Sequence, residues 1–222
     1  MRGEIVYNVP IFPLNTVLFP NMPLPLHIFE QRYRTMVEDL KHGDNRFCVA
    51  LIREGQEIGG YAVPFDVACL AELVHVQLLQ DGRYFVVAVG IERVRIVSTN
   101  DLDKPYLTGS LELWPDETDD VAPAIMDKAS KLFVQYMNYI TKMSGQSDEQ
   151  LEVPNEPDLL SYVLASSLQI DPEARQHLLE LPGSEERLRA ELGMLQTELP
   201  ILRAFLSSPQ PPNAGFGQFS AN

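Results

Sequence analysis

Between Ile11 and Tyr33 the chain reads IFPLNTVLFPNMPLPLHIFEQRY, with Pro13, Pro20, Pro23 and Pro25 breaking its apolar runs just before a charged helix start. Each proline fixes φ and removes a main-chain donor. Together they forbid one long strand and impose short extended pieces joined by bends. After Ile28 the apolar period changes. Tyr33, Met36, Val37 and Leu40 recur at i, i+3, i+4 and i+7, which predicts an amphipathic helix to about Lys41, before Gly43.

At 222 residues the chain has enough apolar side chains for one large core or two small ones. Cys48 and Cys69 lie inside apolar runs, as small buried hydrophobes do, and no secretory disulfide framework is suggested. No run approaches a membrane span, and MRGEIVYNVP lacks the apolar core of a signal peptide, so a cytoplasmic protein without a membrane partner is expected. The 31 acidic residues against 17 Lys plus Arg give a net charge of −14, which repels phosphate backbones and disfavours nucleic acid as a partner.

Up to Trp114 the pattern is β. Strands are expected at about Val6 to Phe12, Phe47 to Arg53, Gly60 to Phe65, Val67 to Gln80, Tyr84 to Val97 and Tyr106 to Leu113. Asp81-Gly82 marks a hairpin, with a type I′ turn expected because that pair tolerates positive φ. Phe85 to Val89 is apolar at every position, which reads as burial on both faces. Six strands with one early helix suggest a small, partly closed β-barrel.

After Pro115 the period becomes helical. Asp116, Glu117, Asp119 and Asp120 read as a solvated helix N-terminus, ahead of apolar residues at helical spacing from Val121 to Ile140. Ser144 to Asp158 reads as a loop and Leu159 to Leu168 as a second helix. Asp171 followed by Pro172 is an N-cap with proline at the first helical position, opening a third helix. Ser184 is the expected cap of a fourth, whose Leu188, Leu192, Leu195, Leu199, Leu202 and Leu206 form a heptad-like seam. Pro200 predicts a kink or break near Gln196 to Pro200.

Three segments carry a resemblance to a known family. The opening has the order strand, FP bend and PL-x-IFE-x-RY helix start. EIGGYAVPFDV follows, then a DGRYFVVAVGIERVRIV hairpin in which Gly90 precedes an arginine-bearing strand. Further on, LLSYVLASSLQIDPEARQHLLELPGSEERLRAELGMLQTEL gives an alanine-rich helix, a Q-x-LLE helix and an RL-x-x-x-L-x-x-L helix. This pattern, over about Pro10 to Leu206, resembles the N-terminal, substrate-binding domain of Lon proteases. The resemblance implies an α+β fold: an N-terminal pseudouridine-synthase-and-archaeosine-transglycosylase-like (PUA-like) β-barrel followed by a C-terminal four-helix bundle. The corresponding boundaries are a barrel subdomain over 1–115 with one early helix, a helical bundle subdomain over 116–207 and a disordered tail over 208–222. Lon proteases continue into an ATPase and a serine-lysine protease module, whereas this sequence ends in SSPQPPNAGFGQFSAN, so a stand-alone domain is expected.

Motifs for chemistry are missing. There is no G-x-x-x-x-G-K-[ST], and Gly59-Gly60 reads as a turn. His27, His42, His75 and His177 have no ligand spacing, and the acidic cluster lacks the glycine and closing glutamate of a calcium loop. The cysteines have no adjacent base, and the serines sit near no nucleophile elbow. No catalytic residue, metal or cofactor is therefore expected.

Binding is the remaining expectation. The candidate surface lies at the proline turns and first helix: Pro20, Met22, Leu24, Leu26, Phe29, Glu30, Arg32 and Tyr33. For the last three a purely structural role is the stronger reading, with Glu30 steadying the helix start, Arg32 tying down a loop and Tyr33 packing in the barrel. The resemblance implies a non-catalytic polypeptide-binding domain. Its partners would be unfolded or partly folded polypeptides and a separate ATP-dependent protease for which it serves as adaptor or regulator. An RNA-binding PUA-like domain, using Arg83, Arg93 and Arg95, is the alternative.

Overall fold

The computed structural model describes residues 4–117, 120–145 and 151–207. The proline-rich opening resolves into two strands. β1 (Ile5–Leu14) ends before a turn containing Pro20 and Asn21, whose positive φ of 64° reverses the chain into β2 (Pro23–Ile28). Sequence reading foresaw short extended pieces here but did not identify β2 as a strand. α1 (Gln31–Lys41) follows, burying Tyr33, Met36, Val37 and Leu40, the four residues whose spacing predicted it. The remaining strands are β3 (Arg46–Gly55), β4 (Ala62–Pro64), β5 (Val67–Leu78), β6 (Tyr84–Asn100) and β7 (Thr108–Leu113).

Strand pairing runs β1-β7-β6-β5-β3, and β3 then pairs in parallel with β1, so the ladder returns to its start. β4 pairs with β3, and β2 pairs with β6 between Tyr84 and Val89. Gly90 marks the crossing of the proline turn over β6. A Cβ there would lie 2.3 Å from the Phe19 carbonyl oxygen and 3.0 Å from Cys69 Sγ. Only a glycine lets the two backbones exchange their hydrogen bonds, Asn21 N–H to Gly90 O at 2.8 Å and Gly90 N–H to Met22 O at 3.0 Å.

The β5–β6 hairpin forms where Asp81-Gly82 predicted it, with a different turn. Gly82 has φ 79° but Asp81 has no positive φ, so the turn is not type I′. Gly82 N–H bonds to Leu79 O at 2.9 Å and Leu79 N–H to Arg83 O at 2.8 Å. This is a three-residue loop in which glycine takes the left-handed position.

The second half is helical: α2 (Pro123–Ser144), α3 (Pro157–Ser167), α4 (Pro172–Glu180) and α5 (Ser184–Ser207). The fold is thus mixed α+β, with a β-sheet and, among the described residues, five helices. Asp171 caps α4 as predicted, accepting the Ala174 N–H at 2.8 Å. Ser184 is not the cap of α5. Gly183 O accepts the first helical bond, from Arg187, and Ser184 already lies in the helix. Pro200 does not break α5, which continues to Ser207. The predicted tail, Asp119 and part of the predicted 144–158 loop lie outside the described residues.

Among the described residues three apolar clusters form the interior. One lies between α1 and the sheet, around Phe12, Tyr33, Met36 and Phe47; a second lies inside the ladder, around Ile11, Ala68 and Leu111. The largest joins the helices through Phe133, Leu164, Leu188 and Leu195 and also takes in Val17, Phe19, Leu51 and Val67 from the β half. Leu188, Leu192, Leu195 and Leu199 of the heptad-like seam are therefore internal, whereas Leu206 is 37% exposed.

Candidate functional site

Alternation along β2 separates two sets of side chains. Leu24 and Leu26 are half-buried and point with Ile28 toward α1, while Pro23, Pro25 and His27 face outward. The chain then leaves the sheet, exposing 48% of Phe29, before Glu30 turns it into α1. Leu26, Phe29, Glu30 and Tyr33 line one hollow of about 160 Å³, together with Ile58 from the β3–β4 connection. Arg32 and Tyr33 border a second, of about 200 Å³, with Tyr61 and Tyr106. Pro20, Met22 and Leu24 line neither. Pro20 is buried, and Met22 is half-buried between two of the clusters, its sulfur 3.3 Å from Ser166 Oγ.

The charged residues at the helix start act as a latch. Arg32 donates to the carbonyls of Glu57 (3.1 Å) and Gly60 (3.2 Å) and pairs with Glu30 at 3.1 Å. Glu30 in turn accepts the Gly59 N–H at 3.0 Å. Its side chain makes no capping bond to α1, so its role is to hold the 56–60 turn. Arg32 also lies over the Tyr33 ring at 4.5 Å, and that ring packs on Phe12 at 4.2 Å between centroids. Burial pushes the Tyr33 hydroxyl up to about 12, with Arg32 acting in the opposite sense. The structural reading of these three residues therefore accounts for their contacts. Their effect is to present Ile58, 61% exposed, beside Phe29 in the first hollow and Tyr61, 72% exposed, beside Tyr33 in the second. The result is an apolar rim fixed by ionic and main-chain bonds and suited to contact.

A second arrangement was not foreseen. Arg93 of β6 is 1% exposed and Arg187 of α5 is fully buried. Both converge on Asp116. Arg187 holds that carboxylate at 3.0 to 3.2 Å, Arg93 forms an ion pair with it, and the Tyr162 hydroxyl donates to it at 2.8 Å. Arg93 also donates to the carbonyls of Leu179 and Pro182, each at 2.9 Å, and to that of Leu181. Arg187 reaches the Leu178 carbonyl at 3.1 Å and Ser161 Oγ at 2.7 Å. Trp114 and Tyr162 cover the two guanidiniums, at 4.5 and 4.1 Å. These groups clasp β6 to the ends of α3, α4 and α5. No local pattern marked them: Asp116 lies in the acidic run PDETDD, Arg187 in the charged stretch SEERLRAEL, and Arg93 between Glu92 and Arg95.

The clasp corrects two expectations. Asp116 is an internal counter-ion, not part of a solvated helix N-terminus, because two buried cations need it. Arg93 is interior and Arg83 pairs with Asp81 at 2.6 Å, so a patch of Arg83, Arg93 and Arg95 is not assembled. Cys48 and Cys69 are both free and buried, which raises their thiol pKa values. Among the described residues no group of His, Cys, Asp or Glu is arranged to hold a metal, and no helix is long and apolar enough to cross a membrane.

A ring-paired sheet followed by four helices, three of them joined to it by the clasp, is an architecture shared with known proteins. Residues 8–197 match the family model of the ATP-dependent protease La (LON) substrate-binding domain, and the chain is a member of that family. Its relatives include the Lon protease of Flavobacterium johnsoniae, 25% identical over 202 residues, and Lon protease 2 of Herpetosiphon aurantiacus, 30% identical over 203. Each match covers 88% of this chain but only 25% and 24% of the relative, so the chain spans about a quarter of the length of these proteins. Among solved structures, the Lon N-terminal domain protein from Xanthomonas campestris aligns with a TM-score of 0.66 at 23% identity. It covers 85% of this chain and 98% of that one. The N-terminal domain of the Mycobacterium avium complex Lon protease aligns at 0.62 and 15% identity, with the same coverage. The likeness to these two structures is one of fold.

Proposed function

We propose that this chain is a non-catalytic polypeptide-binding protein that holds apolar segments of unfolded or partly folded chains against the rim of Phe29, Ile58 and Tyr61. The observation that carries this reading is the latch. Exposed apolar side chains on a loop are normally free to fold inward, but here the turn beneath two of them is fixed by Arg32 and Glu30. The family, a substrate-binding domain, supports the same reading. In it, the ring of strand pairings is a PUA-like barrel subdomain over 1–115, the helices of 116–207 form a four-helix bundle, and the bound segment is presented to a separate ATP-dependent protease. The RNA alternative finds no supporting observation, since its arginines are divided between the interior and a hairpin ion pair.

The test is fluorescence anisotropy with labelled lactalbumin, reduced and alkylated with iodoacetamide so that it stays unfolded. Wild type binds saturably, and Phe29→Asp with Ile58→Asp weakens binding at least tenfold without lowering the melting temperature. Saturable binding unchanged in the double variant would place the surface elsewhere; no binding by wild type would refute the reading.

A further inference from the structure

β2, β6 and the end of β5 form a three-stranded ribbon whose two edges differ. The hydrogen-bond phase is set by Leu79 N–H to Arg83 O on one side of β6 and by Gly90 N–H to Met22 O on the other. With the register His27↔Phe85 and Gln77↔Phe85, this phase directs the main-chain groups of Leu24, Leu26 and Ile28 toward β6. Pro23, Pro25 and His27 therefore face away from it. Two of the three outward positions on β2 have no N–H to give, which closes that edge to a further strand.

The β5 edge has no such protection. His75 and Gln77 bond inward to β6, leaving the N–H and C=O of Val76 and Leu78 pointing outward. β3 flanks β5 as far as the Arg46↔Glu72 pair, Leu73 N–H adds one last bond to Asn45 O at 2.9 Å, and the β5–β6 register shifts between Leu73 and His75. Among the described residues no strand pairs with the edge beyond that point. The segment Val74–Leu78 carries no Lys, Arg, Asp, Glu or Pro, and Val74 and Leu78 are 56% and 62% exposed. Beside it the outward side chains of β6, Phe85, Val87 and Val89, are apolar and only half-buried. Sequence reading took this run as covered on both faces; the structure covers one.

We propose that the β5 edge at Val76 and Leu78 is a strand-addition site that takes an extended polypeptide segment, free of proline at its pairing positions and neutral or basic in charge. This inference rests on the polypeptide-binding reading and adds to it a second surface, distinct from the Phe29 rim. The occupant follows from geometry and charge. Two outward N–H and C=O pairs two residues apart match the repeat of an extended main chain, which makes recognition tolerant of sequence. A net charge of −14 favours a segment without acidic residues. A second copy is disfavoured by the same charge and by size, because an edge about 17 Å long buries far less than the roughly 800 Å² per partner of a stable dimer.

The experiment titrates an unfolded probe of the expected charge, hen lysozyme reduced and alkylated with iodoacetamide, into wild type, Leu78→Pro and Phe29→Asp. Amide exchange at Val76 and Leu78 is followed by NMR in the wild type. Leu78→Pro removes an outward donor and leaves the β5–β6 bonds intact, so the melting temperature checks that the fold survives. The expected result is a loss of affinity of at least tenfold in Leu78→Pro, with slowed exchange at both amides when wild type is saturated. Binding weakened by Phe29→Asp but not by Leu78→Pro, with unchanged exchange, overturns the edge proposal and leaves the rim reading standing. Slowed exchange without probe, accompanied by a doubled mass in sedimentation, assigns the edge to a second copy and also overturns it. Absence of any binding by wild type overturns the polypeptide reading itself.

Discussion

Asp116→Ala is the most informative single change, because one carboxylate with 9% of its side chain exposed neutralises two internal guanidiniums. Its removal leaves Arg93 and Arg187 facing each other with no anion between them, and the Tyr162 hydroxyl loses its acceptor. Breaking a buried pair by deleting one partner costs about 3–5 kcal/mol, against well under ~1 kcal/mol for an exposed pair. In a chain of 222 residues each kcal/mol moves the melting temperature by about 2–4 °C, so a drop of roughly 6–20 °C is expected by calorimetry. Asp81→Ala, which removes the exposed partner of Arg83, serves as control and should leave the transition unchanged. A drop below about 2 °C for Asp116→Ala would refute the reasoning, showing that the carbonyl bonds of the two arginines hold the clasp without the ion.

Further outcomes follow from the same structure. Glu191 is fully buried with neither carboxylate oxygen bonded, and burial raises its pKa well above the usual range although Arg187 opposes this. Its contribution to stability is complete below the unfolded carboxyl value and declines by about 1.4 kcal/mol per pH unit as pH rises toward the folded value; Glu191→Gln should remove that slope in urea titrations at several pH values. Tyr33, at about 12, contributes stability that is present below the ordinary phenol range and lost between roughly pH 10 and 12, so absorbance at alkaline pH should show its ionisation coinciding with unfolding. Gly90→Ala should destabilise by at least ~2 kcal/mol in denaturant melts, since the new methyl meets backbone 2.3 Å away. Pro200→Ala should raise the melting temperature, because α5 already runs through this position and proline costs a helix interior up to about 3 kcal/mol.

Local periodicity carried most of the elements. α1, the Asp171 cap and the β5–β6 hairpin were legible because each depends on residues within a few positions of one another. β2 was harder to read. Its prolines argue against a strand unless it lies at an edge, and only pairing with β6 shows that Pro23 and Pro25 occupy the outward, donor-free positions. The candidate rim was half legible. Leu26, Phe29, Glu30 and Tyr33 were named from the helix start, but Ile58, and Tyr61 in the neighbouring hollow, come from a distant turn that Arg32 holds.

The sequence alone determined the succession of a β half and a helical half, the one-sided apolar face of α1, the glycine of the β5–β6 hairpin and the lack of metal-ligand or nucleophile motifs. Each is a property of short segments, fixed by φ restrictions, side-chain period and residue chemistry. Only the tertiary structure decided that Asp116 is internal and that Phe85, Val87 and Val89 are covered on one side. It also decided which sheet edge is open. Those outcomes depend on neighbours supplied from tens of residues away, as with Asp116 and Arg187, and no local pattern encodes which distant group arrives.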